Sequence, residues 1–184
     1  LFMSTHSKRL IWLDLEMTGL DTFNDTIIEI ATVVTDGNLE VIAEGPSLAI
    51  NQDDSVLDSM DNWNKKQHSQ SGLLARVKKS NLTIADAEKM TLNFLKKITN
   101  KEESPMCGNT ICQDRRFLAR LMPELESHFN YRNLDVTSIK ITSQLWNPEV
   151  ARSHSKNSNH LAMDDVYDSI HELRHYKKHL LIEK

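Results

Sequence analysis

The sequence predicts a single α/β domain, a mixed β-sheet with helices packed on it. Two patterns lead to that class. Three apolar, β-rich segments follow one another early in the chain, at 10–16, 27–36 and 39–50. From about residue 84 onward, helical periodicity alternates with short strand-like runs. Strands that come first and then alternate with helices give a sheet with antiparallel and parallel neighbours together.

LIWLDLE is apolar and β-rich, and the turn-like DTFND separates it from IIEIATVVTD. DGN forms a plausible hairpin turn into LEVIAEGPSLAI. Residues 55–79 look helical but broken, with Ser71-Gly72 as the interruption. TIADAEKMTLNFLKKI is a helix: Thr83 can cap it, Asp86 sits three residues on, and Ile84, Ala87, Leu92 and Leu95 give it an apolar face. SPMCGNT is a short strand leading into the helix ICQDRRFLARLMPELESHF, which Pro123 should kink or split. NLDVTSI is expected to be another strand, followed by the helix IKITSQLW. The last helix runs from about Leu161 to Leu181, with Val166, Ile170 and Leu173 at i, i+4 and i+7.

A chain of 184 residues suits one domain with a sizeable core. Hydrophobic residues at 39% and charged residues at 26% place it among globular rather than disordered chains. No apolar run approaches the roughly 20 residues needed to span a bilayer, and LFMSTHSKR lacks the apolar core of a secretory signal. The expectation is a cytoplasmic protein. Leu1 and Phe2 precede Met3 and read as an expression remnant. Residues 1–7 are then a flexible N-terminus, and 8–182 the domain. Cys107 and Cys112 are expected to be free, partly buried thiols: a reducing compartment disfavours a disulfide, and a zinc site needs more ligands nearby. The net charge of −4 lacks the basic surplus that grips a long nucleic acid. A nucleic-acid partner should therefore be short, or contacted at few phosphates.

The chemistry-bearing residues are acidic. Asp14 and Glu16 lie two apart in LIWLDLEMTGL, so both carboxylates project from one face of the strand while Leu13 and Leu15 point the other way. Asp114 stands at a helix start in GNTICQDRRFL, and His160 and Asp165 straddle the start of the last helix in NHLAMDDVYDSI. Acids within apolar stretches are costly unless their charge is compensated. A pair of divalent cations would compensate all four, and oxygen-only ligands suit Mg²⁺ or Mn²⁺ rather than zinc. Gly19 could let the backbone approach a ligand closely. Taken singly, each has a plainer reading: solvent-facing acids at a strand end, a first-turn aspartate complementing a helix dipole, one surface histidine among eight. The combination carries the argument.

That combination, D-x-E, then N-x-x-x-x-D, then H-x-x-x-x-D, resembles the DEDDh exonucleases of the DnaQ-like superfamily. The resemblance is closer still to the oligoribonuclease family, through LDLEMTGLD, SGLLARVK, GNTICQDRRFL, MPELE, YRNLDVTSIK and HLAMDDVYDSI. It extends over roughly residues 8–180. It implies an RNase H-like mixed sheet flanked by helices, with two divalent cations, Mg²⁺ or Mn²⁺, held by Asp14, Glu16, Asp114 and Asp165. It implies two-metal hydrolysis with His160 as general base, releasing 5′-mononucleotides from the 3′ ends of short RNA. Leu20 and Trp63 match base-wedging and base-stacking positions, and His68 a further position near the substrate. Thr110, Arg132 and Thr137 match positions that cap the 5′ phosphate of a dinucleotide. The family more usually has serine at both threonine positions, so modest changes in affinity are expected. Tyr131 matches a tyrosine supplied to the neighbouring subunit's site, which implies a homodimer.

Other classes compete. His171-Glu172-Leu173-Arg174-His175 matches the H-E-x-x-H zinc hydrolase motif. It leaves little chain for a downstream third ligand, and Leu173 belongs to the apolar helix face. The plain reading is a solvated, pH-sensitive helix face. A non-catalytic nucleic-acid-binding module and an exonuclease acting on longer RNA or DNA are the other rivals. The matches at Trp63, Tyr131, Arg132 and Thr137 separate the last of these from a short-RNA enzyme.

Overall fold

The computed structural model describes residues 8–153 and 161–180. The expectations for residues 1–7, for His160 and for the helix end beyond Leu180 lie outside the described residues. The elements are β1 (Arg9–Met17), β2 (Ile27–Asp36), β3 (Val41–Glu44), β4 (Leu48–Ala49), α1 (Asp54–Ser59), α2 (Asn62–Gln70), α3 (Leu73–Lys79) and α4 (Ile84–Leu95). Then follow β5 (Met106–Gly108), α5 (Ile111–Leu121), α6 (Pro123–Glu126), β6 (Asn133–Asp135), α7 (Val136–Trp146), α8 (Pro148–Arg152) and α9 (Ala162–His179).

The strands form one mixed sheet in the order β3-β2-β1-β5-β6, with β4 also pairing β2. The pairs β1/β2, β2/β3 and β2/β4 are antiparallel, and β1/β5 and β5/β6 are parallel. The side-chain period of two on β1 divides the core. Ile11, Leu13 and Leu15 pack with Leu92 and Leu95 of α4 and with Phe117 and Leu118 of α5. Trp12 faces the opposite side, with Val136 of α7 and Val166, Ile170 and Tyr176 of α9. β2 is buried along its whole length, as a strand paired on both edges and covered on both faces should be. A smaller cluster of Ile28, Leu57, Met60, Leu73 and Val77 fastens α1 and α3 to β2.

Local signals set several boundaries. Thr83 and Asp86 cap α4 reciprocally: the Asp86 N–H donates to Thr83 Oγ1 (3.1 Å), and the Thr83 N–H to Asp86 Oδ2 (3.0 Å). Gly72, at φ +77°, supplies the left-handed turn between α2 and α3. Pro123 divides α5 from α6 at Met122. One expectation is corrected: residues 136–139 open α7 rather than extending a strand. Their β-branched character is overridden because the Asp135 side chain accepts the Thr137 N–H (3.0 Å) and caps a helix there. Both cysteines are free, Cys107 buried and Cys112 exposed.

Candidate active site

The parallel pairing of β1 with β5 puts the ends of both strands at one side of the sheet, where α/β folds gather ligand-binding groups. Asp14 and Glu16 share the parity of Trp12 and so project toward the face covered by α9. Asp165, in the first turn of α9, meets them there. The three residues each offer a carboxylate oxygen, and these oxygens lie within 4.8 Å of one another.

Asp114 comes from the other direction, in the first turn of α5, directly after β5. The Leu15 N–H donates to its Oδ1 (3.1 Å), tying this carboxylate to the strand between Asp14 and Glu16. Burial pushes the Asp114 carboxyl up to about 7, and the negative charge of Asp135 adds to the effect. Three carboxylates converging at one strand end, with the buried Asp114 hydrogen-bonded to the same strand, fit a hard divalent cation: the donors are all oxygen, and the cation supplies the charge they lack.

Two further groups build this corner. His68 of α2 is buried; its Nε2 is 3.0 Å from the Met17 carbonyl, and its Nδ1 is 3.8 Å from Glu16 Oε2. Glu29 of β2 lies across from Glu16 in the antiparallel register. It is fully buried and accepts from Arg76 (2.6 Å), from the Ser47 hydroxyl (3.0 Å) and from the Ala162 N–H (3.1 Å). Leu161, the N-cap of α9, has no capping side chain, so Glu29 provides from the sheet an acceptor for the first helical N–H. The helix that carries Asp165 is thereby fixed to the strand facing β1.

A cavity of about 480 Å³ opens beside the carboxylates. Its walls include Leu15, Glu16, Leu20, Trp63, Asn64 and His68. Leu20 is 73% exposed and Trp63 60% exposed, apolar surface presented at the mouth of a polar site. The loop bearing Leu20 is held firmly. Asp25 accepts from the Thr18 hydroxyl (2.8 Å) and the Asp21 N–H (2.9 Å), Gln113 donates to the Leu20 carbonyl (2.8 Å), and Arg120 donates to the Asp25 carbonyl. Gly19 serves this knot: a Cβ there would overlap the Asp25 carboxylate. The close approach expected of Gly19 is thus to a side chain of its own loop.

On the other side of Asp114, Thr110 and Thr137 meet. Their hydroxyl oxygens are 3.0 Å apart, and the Thr110 N–H donates to both Thr137 Oγ1 and Asp135 Oδ1 (2.9 Å each). These bonds hold Thr110 at φ +52°, a left-handed conformation uncommon outside glycine. Tyr131 and Arg132 are exposed, and the Arg132 guanidinium lies 4.6 Å from the centre of the Tyr131 ring. His160 lies outside the described residues. The structure thus brings together Asp14, Glu16 and Asp165, sets Asp114 and His68 against the same strand end, pairs Thr110 with Thr137, and stacks Arg132 on Tyr131.

The H-E-x-x-H motif is not arranged for zinc. Glu172 is buried and accepts from Asn109 (3.0 Å) and Tyr176 (3.1 Å), with Lys140 at 3.6 Å. His175 Nε2 lies 2.9 Å from the Val150 carbonyl. Sequence reasoning passed over Glu29 and the structural use of Asn109 and Glu172, which meet in a hydrogen bond. Glu29 had a signal, a lone acid in the apolar run IIEIATVV, where burial demands partners.

The fold and the carboxylate site define a nuclease of the exonuclease class, and a family model described as Exonuclease matches residues 11–173. Two solved structures share the RNase H-like architecture: exonuclease I from Methylocaldum szegediense (TM-score 0.71, 18% identity) and the zinc-bound E. coli exonuclease I–ssDNA complex (TM-score 0.72, 14% identity). Each alignment covers 94% of this chain and 41% of the other. Among curated proteins, the oligoribonuclease of Acinetobacter baylyi is 59% identical over 180 residues, 98% of both chains. That of Halorhodospira halophila is 60% identical over 172 residues, 94% of both. The oligoribonuclease of Coxiella burnetii is 55% identical over 179 residues, 97% of this chain and 98% of its own. The chain belongs to the oligoribonuclease family of exonucleases.

Proposed function

We propose that this chain is a 3′–5′ exoribonuclease that degrades short oligoribonucleotides, 5′-phosphorylated dinucleotides above all, to 5′-mononucleotides in the cytoplasm. The observation that carries the reading is the convergence of Asp14, Glu16 and Asp165 at the end of β1, beside a cavity with an exposed apolar mouth. Asp14, Glu16, Asp114 and Asp165 would hold two divalent cations, Mg²⁺ or Mn²⁺, which when bound neutralise phosphoryl charge and acidify the attacking water.

The chain's own groups do the rest. Leu20 wedges against a base and Trp63 stacks on one, and an aromatic face accepts any base, as sequence-independent degradation requires. His68 steadies Glu16 beside the substrate. His160 accepts the proton of the attacking water, a role for which an imidazole is chemically suited. Thr110, Thr137 and Arg132 cap the 5′ phosphate, which limits the length of RNA that fits. The net charge of −4 supports this, because it offers no surplus of cations along which a long backbone could run.

A homodimer completes the site. Ile141, Leu145 and Trp146 expose an apolar face on α7, and Tyr131 is also exposed. A second copy would cover that face and receive Tyr131 at its own site.

The test is a ladder of 5′-labelled RNAs of graded length, incubated with Mg²⁺, with Mn²⁺ or with chelator. Stepwise shortening from the 3′ end with either metal, abolished by chelator, is the expected result. Full activity in excess chelator, or internal cleavage, would overturn the reading.

A further inference from the structure

We propose that Glu172, which touches no site carboxylate, is a positioning residue that decides which hydroxyl meets a 5′ phosphate. The inference rests on the reading of Thr110 and Thr137 as the phosphate cap. It follows from the direction in which each hydrogen bond must run.

Asn109, between β5 and α5, has one amide edge against Glu172 Oε2 and Ser169 Oγ, both at 3.0 Å. Glu172 is a carboxylate and accepts. Ser169 spends its proton on the Asp165 carbonyl (2.9 Å), so toward Asn109 it can only accept. Two acceptors on one side force the Asn109 NH₂ to face them, and Oδ1 is left facing Thr137. The Thr137 hydroxyl donates to that oxygen (3.2 Å). Its single proton is then committed, and Thr137 Oγ1 accepts from the Thr110 N–H (2.9 Å). In the remaining contact, between the two hydroxyls (3.0 Å), Thr110 must therefore be the donor.

The chain Glu172–Asn109–Thr137–Thr110 is one-way, and its polarity begins at Glu172. Thr110, exposed at the far end, holds the one hydroxyl proton of the pair that can swing outward to an anionic phosphate oxygen. Thr137 stays turned inward and supports Thr110 through its backbone N–H. The two threonines of the cap thus have unequal roles: Thr110 is the one with a proton to offer the phosphate, and Thr137, whose proton goes to Asn109, completes the cap by holding Thr110 in place. The same network touches the carbonyl of Asp165 through Ser169, so the phosphate cap and the carboxylate helix share a frame. Glu172 has further support from Tyr176 and Lys140, which hold the buried carboxylate in place.

The experiment compares kcat/KM for a 5′-phosphorylated and a 5′-hydroxyl diribonucleotide and follows their ratio. Glu172→Leu should lower the ratio about tenfold, the worth of one charge-assisted hydrogen bond, while turnover of the 5′-hydroxyl substrate is kept. Glu172→Gln should keep the ratio: its amide oxygen still accepts from Asn109, and the Tyr176 hydroxyl can reverse. Thr110→Val should lower the ratio, and adding Glu172→Leu to it should lower it no further. Should Glu172→Leu not fold, Thr137→Val against Thr137→Ser carries the same inference, the serine keeping the ratio and the valine losing it. Equal loss on both substrates in Glu172→Leu, or an unchanged ratio in Thr137→Val, overturns the assignment. A wild-type ratio near one instead overturns the cap reading itself. A wild-type preference that survives Glu172→Leu overturns only the role of Glu172.

Discussion

Replacing Arg76 by methionine should destabilise the protein more than neutralising its buried partner Glu29. Exposure alone suggests the reverse, since the Arg76 side chain is 42% exposed and that of Glu29 is fully buried. The physics favours this order. Arg76→Met strands an anion in the sheet opposite Glu16, with the Ser47 hydroxyl and the Ala162 N–H left to stabilise it among the described residues. Removing one partner of a buried pair costs about 3–5 kcal/mol. Because two donors remain, the lower figure of about 3 kcal/mol is expected, and for a chain of this size it lowers Tm by about 6–12 °C. Glu29→Gln lets Arg76 turn to water and keeps an oxygen for the Ala162 N–H. Its cost is about 1–2 kcal/mol. The double variant should be more stable than Arg76→Met alone, since no stranded charge remains. Urea unfolding in chelator, with equal m values, measures all three without any metal contribution. A loss in Arg76→Met below about 1 kcal/mol, the range of a surface pair, would refute the reasoning, as would Glu29→Gln proving the costlier change.

Three other outcomes are expected. Asp114 has its folded pKa raised to about 7 from an ordinary value of 3.8, so the metal-free fold is unpenalised below that ordinary value and loses stability as pH rises through about 7. Asp114→Asn keeps an acceptor for the Leu15 N–H, so in chelator its Tm advantage over wild type should grow across that window while its metal-dependent turnover falls by orders of magnitude; a constant Tm difference with pH would contradict this. Leu145→Lys, on the exposed face of α7, should convert the proposed dimer to monomer in analytical ultracentrifugation and depress turnover; an unchanged sedimentation coefficient would remove that face from the proposed interface. His171→Ala with His175→Ala should retain nuclease activity and bind no less zinc than wild type. Stoichiometric zinc in the wild type, lost in the pair, would revive the hydrolase reading of the motif.

Much of this arrangement was legible in the sequence where local chemistry decides it. The two-residue spacing of Asp14 and Glu16 fixed their common face, the Thr83–Asp86 pair fixed the start of α4, and Pro123 fixed the break after α5. What stayed hidden depends on partners distant in the chain. NLDVTSI reads as a strand by its β-branched residues, yet Asp135 caps a helix there, and the same carboxylate also holds the Thr110 N–H from another loop. Glu29 and Ala162 meet across 133 positions, and Asn109 and Glu172 across 63. No window of sequence contains such a pair. H-E-x-x-H shows the converse: its helical spacing is real, but burial turns its glutamate toward Asn109 rather than toward a metal.

Whether the site is built for short RNA and capped at the 5′ end is decided by a competition between substrates. A labelled 5′-phosphorylated diribonucleotide and a seven-nucleotide RNA are mixed at equal concentration with Mn²⁺, and both are followed to completion. The dinucleotide should be consumed first, and Arg132→Ala should erase most of that preference. Equal or faster consumption of the longer RNA by the wild type would contradict the capped site and leave a general 3′–5′ exonuclease in its place.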